Sequence, residues 1–147
     1  MGLKVKGVRS TVRKLVRTGG KTNQRALIEV RKGAEDIKDL AVKMAPVDAG
    51  NLENAIKVDQ GSERGLNGRK IVTVYVDESV SIPGRPGKTV GDYAVLMHEG
   101  RYKLGKKSQD KDDNQQEKVG PKYIERAAEE LADEITQKVE TALKGLF

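Results

Sequence analysis

The chain has 147 residues, enough for one domain that buries roughly 68–70% of its extended surface. It is only 36% hydrophobic against 34% charged, with one Phe, four Tyr and no Trp. A core this thin is expected to be completed by neighbouring subunits. The absence of Cys excludes a disulfide framework and any cysteine metal site. No apolar run approaches the roughly 20 residues needed to cross a bilayer, and the first residues lack the apolar core of a signal peptide. A soluble protein made in a cytoplasm, with no membrane partner, is the expectation.

The net charge of +6 is unevenly placed. Residues 1–21 carry seven basic residues (Lys4, Lys6, Arg9, Arg13, Lys14, Arg17, Lys21) and no acid, leaving 21 basic against 22 acidic residues, or −1, for the rest. This reads as a basic N-terminal arm, followed by one domain over 22–147. Such an arm suits nucleic acid, an acidic protein surface or an anionic membrane; the plainer reading is a solvated tail. Its apolar residues Val5, Val8, Val12 and Leu15 or Val16 have helical spacing, and Gly19-Gly20 breaks the pattern.

From Thr22 or Asn23, either a good N-cap, the apolar positions run Leu27, Val30, Ala34, Ile37, Ala41, Met44. That spacing predicts a long amphipathic helix. Pro46 should end it near Ala45. Within the turn, Asp48 can accept from the next backbone amides, Gly50 supplies a position where a side chain would not fit, and Leu52 and Ile56 return the chain to the core. A well-made turn is the bland account of this stretch. Residues 55–60 and 70–77 alternate as strands, the second apolar on both faces and so read as central or covered on two sides. Asn67-Gly68 between them favours a hairpin. Residues 79–91, with Pro83-Gly84 and Pro86-Gly87, read as an irregular loop.

In 92–100, Asp92 could cap a short helix that buries Tyr93, Leu96 and Met97, with a third strand as the competing assignment. Residues 101–120 are polar and structureless by pattern, an extended mobile loop carrying Arg101, Lys103, Lys106 and Lys107. Pro121 is a favoured opening for a last helix with the core stripe Ile124, Ala128, Leu131, Ile135, Val139, Ala142 and Leu146. Acids fill its first half and Lys138 and Lys144 follow, an order that suits the helix dipole. The fold class expected is α+β: two long amphipathic helices packed on a small antiparallel sheet.

Catalytic chemistry finds little footing. His98 is the only histidine, so a histidine metal cluster is excluded, and His98-Glu99 lacks the second His of a zinc-protease helix. There is no phosphate-cradling loop. Asp77-Glu78 could hold a divalent cation, although adjacent acids at a strand end are usually solvated. No enzyme activity, cofactor or metal is expected.

Three stretches, APVDAGNLENAI at 45–56, YAVLMHEG at 93–100 and GPKYIERA at 120–127, resemble in their order and spacing the small neck, or tail-completion, proteins of long-tailed bacteriophages. The residues that carry the likeness are Pro46, Asp48, Gly50, Leu52, Tyr93, Glu99, Gly100 and Tyr123. Tyr123 matches the family's aromatic residue inside the last helix, which the resemblance places near the central turn. Arg101 departs from the family's usual Thr, and the 101–120 insert is longer and more charged than usual.

The resemblance implies a virion structural protein, assembled in the host cytoplasm, that forms a ring at the head–tail junction and leaves a channel for DNA. The partners implied are about six or twelve copies of itself in heterologous contact, the connector or head-completion protein, tail-terminator or tail-tube proteins, and genomic DNA in the channel. Lys4, Lys6, Arg9, Arg13, Lys14, Arg17, Arg101, Lys103, Lys106 and Lys107 are the expected contact residues. The alternatives are a nucleic-acid-binding protein acting through residues 4–21 and a tail-terminator or tail-tube subunit.

Overall fold

A computed structural model describes residues 24–47, 50–61, 71–100 and 102–144. The basic arm, Asp48, the Asn67-Gly68 turn, Arg101 and Leu146 lie outside the described residues.

Helix α1 spans Gln24–Met44 and buries Ala26, Leu27, Val30, Gly33, Ala34, Ile37, Ala41 and Met44. These positions recur every three or four residues, so they form one apolar stripe. The helix stops where the pre-proline residue must leave helical geometry: Ala45 donates its last N–H to Ala41 O at 2.8 Å, and Pro46 follows. After the turn, a short helix α2 (Asn51–Ala55) buries Leu52 and Ala55. Strand β1 (Ile56–Asp59) then pairs antiparallel with β2 (Thr73–Val76), Ile56 opposite Val76 and Asp59 opposite Thr73.

Residues 55 and 60 fall outside the strand, and among the described residues the sheet has two strands only. The two-sided apolar pattern of β2 therefore reports coverage, not a central position. Val72 and Val74 are fully buried, and Thr73 on the opposite face is also buried. Residues 79–91 double back through Val90 N–H to Val80 O (2.8 Å) and Ile82 N–H to Lys88 O (3.0 Å), with only an isolated bridge between Ser81 and Thr89.

A 3-10 turn (Val90–Asp92) leads into α3 (Ala94–Glu99). Asp92 caps the 3-10 turn, not the helix: its Oδ2 accepts from the Thr89 N–H at 2.8 Å in a reciprocal capping box. The face of α3 differs from the expectation. Ala94 and His98 are buried, Tyr93 and Met97 are half-buried, and Leu96 is 57% exposed. The 101–120 stretch is not structureless, because it holds α4 (Lys106–Asp113). Its sequence has little apolar periodicity, and tertiary hydrogen bonds described below supply what periodicity lacks.

The last helix, α5 (Tyr123–Lys144), starts two residues after Pro121, so Pro121 precedes the helix instead of opening it. Lys122 adopts a left-handed φ of 54°, a conformation that costs a non-glycine residue roughly 1–2 kcal/mol. Its N–H to His98 O (2.6 Å) holds it there.

Helix α1 is the common partner of α5 and of the hairpin. Near one end Gly120 N–H bonds Met44 O, in the middle Gly33 faces Ile135, and near the other Glu29 lies by Lys138, so α1 and α5 run antiparallel. The core joins Ile37, Ile56, Val74, Val90, Tyr123 and Ile124. Burying each aliphatic side chain of that size stabilises by roughly 1.5–3 kcal/mol.

Two outcomes follow from this packing. A Cβ on Gly33 would lie 2.8–2.9 Å from the Ile135 side chain, including both branches at its Cβ. Ala in place of Gly inside a helix usually gains roughly 0.5–1 kcal/mol; here overpacking should dominate and Gly33→Ala should cost about 1–3 kcal/mol in urea unfolding. A stabilised Gly33→Ala would mean the helices do not approach this closely.

Asp77 provides the second. Its Oδ2 accepts from Lys57 Nζ at 2.6 Å, and its Oδ1 accepts from the Ser79 hydroxyl (2.5 Å) and N–H (3.1 Å). These bonds, that of Lys57 first, hold the Asp77 pKa down to about 2. A carboxyl depressed in the folded state contributes stability above its unfolded pKa of about 4 and loses it as pH falls through the folded value. The Tm gap between the parent and Asp77→Asn should be constant from pH 7 to about 4 and narrow towards pH 2. A gap that persists unchanged at pH 2 contradicts this.

Candidate functional site

The 45–52 turn, α3 and the 102–108 stretch enclose a half-open cleft of about 250 Å³. Pro46, Val47, Leu52, Tyr93, Met97 and Leu104 give it apolar walls, and Lys103 stands at its rim. Pro46 and Leu52 are both buried within the cleft wall. Gly50 is not required for lack of space, since a Cβ there would have nothing within 4 Å; it is required by its φ of 79°, the left-handed step that precedes α2 and that glycine adopts with little steric cost.

The far wall is held in place by α4, whose polar side chains bond the end of α1. Ser108 accepts from Val47 N–H at 2.8 Å and donates to Val47 O at 3.1 Å. Lys111 Nζ donates to Val42 O (2.5 Å) and Ala45 O (2.8 Å) and pairs with Glu53 at 3.0 Å. Gln115 Nε2 reaches Lys43 O at 2.6 Å, and Gly120 N–H reaches Met44 O at 3.0 Å. The last carbonyls of a helix have no partner within it, and a cation there also meets the negative end of the dipole. The four carbonyls from Val42 to Ala45 are thus satisfied by one segment. Asp112 closes that segment by accepting from Val119 N–H at 2.7 Å, which lowers its pKa.

On the other side of α3, His98 is fully buried and meets Tyr123 edge to face, ring centroids 5.0 Å apart at 77°. His98 Nδ1 lies 2.9 Å from Glu99 Oε1. Tyr102 Oη donates to Met97 O at 2.6 Å, and Gly100 N–H to Leu96 O at 2.7 Å, which ends α3. Burial raises the pKa of Tyr123 strongly and that of Tyr102 less. Neither His98 Nε2 nor the Tyr123 hydroxyl has a hydrogen-bond partner among the described residues. Each such group costs roughly 1–3 kcal/mol, so the surrounding packing must outweigh them.

Of the residues singled out in sequence, Pro46, Leu52 and Tyr93 line the cleft. Tyr123, Glu99 and Gly100 gather around His98 behind it. Lys103 is exposed on the stretch leading into α4, and Lys106 and Lys107 are exposed in its first turn. Lys4, Lys6, Arg9, Arg13, Lys14, Arg17, Asp48 and Arg101 lie outside the described residues. Asp77 is engaged by Lys57 and Ser79, and no cluster of three or more metal-binding side chains occurs among the described residues. Sequence reasoning missed Ser108, Lys111 and Gln115. One cue existed, Ser108 and Lys111 at helical spacing in a polar run, but nothing local names carbonyls 61 to 69 residues away as their partners.

Lys111→Met keeps the stem and removes the three donors, leaving the Val42 and Ala45 carbonyls and the Glu53 carboxylate short of partners. It should cost about 1–3 kcal/mol and make the 101–120 backbone the first site of limited proteolysis. A variant as resistant as the parent would show that α4 is held by other contacts.

Residues 6–100 match the bacteriophage family described as "Bacteriophage HK97-gp10, putative tail-component". The matched region takes in the turn, the hairpin and α3, while α4 and α5 lie beyond it. No curated protein and no solved structure matches the chain. The match spans well over half of the 147 residues, and the chain belongs to this bacteriophage tail-component family.

Proposed function

We propose that this tail component is a structural, non-enzymatic protein of the virion neck. Copies of the chain form a ring at the head–tail junction, join the capsid connector to the tail and leave a channel through which DNA passes. The observation that carries the reading is the family match over residues 6–100, which includes two of the three stretches shared with neck proteins. The geometry supports it. An apolar cleft lined by Pro46, Leu52 and Tyr93 opens beside the 57% exposed Leu96, the kind of surface a protein partner covers. The basic arm, with seven basic residues and no acid in 1–21, supplies contacts to neck proteins or to DNA in the channel.

Negative-stain imaging of the purified protein, alone and mixed with connector-bearing capsids and tails, tests this. Rings that seat between connector and tail are expected. Removal of residues 1–20 should leave the rings intact and DNA binding weak throughout. Particles that stay monomeric and ignore both heads and tails contradict the reading. Rings that bind only tails would instead mark a tail-terminator or tail-tube subunit. A steeply salt-dependent DNA affinity abolished by the truncation would favour the nucleic-acid-binding alternative.

A further inference from the structure

Among the described residues, the cleft and the two exposed large hydrophobic side chains mark two unlike ends. Leu96, 57% exposed, sits on α3 beside the cleft, where α1 ends and α5 begins. Ile28, 49% exposed, sits in the second turn of α1, whose neighbours on α5 are its last turns: Glu29 shares a shallow groove with Gln137, Lys138, Thr141 and Ala142. The sequence continues after the last turn of α5 as Gly145-Leu146-Phe147, which includes the chain's one Phe.

We propose that the cleft under the 45–52 turn is a socket for a second copy of this chain, and that Leu146 and Phe147 of that copy fill it. An apolar cavity of about 150 Å³ is enough to bind benzene. The 250 Å³ here therefore takes an aromatic ring together with part of an aliphatic neighbour. The occupant comes from another copy because of length. Helix α5 has 22 residues, so it runs about 33 Å away from the cleft, and three further residues extend at most about 11 Å.

Charge separates this segment from the other apolar candidate, the N-terminal arm. Lys103 at the rim and the exposed Lys106 beyond it would repel an arm that carries seven basic residues in 1–21, whereas the side chains of 145–147 carry no charge. A contact between unlike ends is heterologous, and such contacts generate rings when the rotation closes. The inference rests on the self-assembling neck reading and names the surfaces that would build it.

The chain has no cysteine, which makes disulfide trapping specific. In Leu104→Cys/Phe147→Cys, mild oxidation should produce a ladder of chains linked end to end. Mixing the two single variants should give the mixed dimer, whereas Lys32→Cys mixed with Phe147→Cys should not. Leu146→Ser/Phe147→Ser should melt with the parent and lose at least tenfold in self-association by sedimentation. An oligomeric parent with no mixed disulfide, and a Leu146→Ser/Phe147→Ser variant that assembles like it, would overturn the socket while leaving the neck reading standing. An intramolecular disulfide would overturn the trans arrangement. A parent that is monomeric at every concentration would overturn both.

Discussion

The end of helix α1 sets the terms for everything around it. A helix cannot satisfy its last carbonyls from within, and here the helix end at Met44 and Ala45 is buried. One segment supplies the missing donors: Lys111 to Val42 and Ala45, Gln115 to Lys43, and Gly120 to Met44. In meeting that demand the chain fixes α4 as one wall of the cleft and delivers α5 antiparallel along α1. The hydrogen bond from Lys122 to His98 adds α3 to the same cluster.

Much of this architecture could be read from residue patterns. The stripe from Leu27 to Met44 marked α1, Pro46 marked its end, and the alternation around Val72, Val74 and Val76 marked a strand of a small antiparallel sheet. Those signals are local, because burial of one face leaves a period in the sequence. Helix α4 left no such period, since its ordering comes from polar side chains that bond distant carbonyls. The burial of His98 in place of Leu96 was hidden for a similar reason. The face that α3 turns inward is chosen by Tyr123, a neighbour 25 positions away whose ring meets His98 edge to face.

The residues that resemble neck proteins turn out to have two jobs in space. Pro46, Leu52 and Tyr93 line the apolar cleft, and Glu99, Gly100 and Tyr123 lie around His98 behind it. Membership in a bacteriophage tail-component family gives that surface a context in which partners are other virion proteins. The apolar cleft and the exposed Leu96 beside it are surface of the kind that a protein partner covers. The polar 101–120 stretch belongs to this scheme as a brace for the cleft.

Hydrogen exchange at the amides of Val47, Gly120 and Lys122 tests this account most directly, because each donates to an acceptor that only the folded 102–122 segment or its docking provides. Protection comparable to the amides in the middle of α1 is the expected result. Exchange at the rate of an unstructured peptide, with α1 itself still protected, would show that the segment does not hold the helix end and that the cleft has no fixed wall.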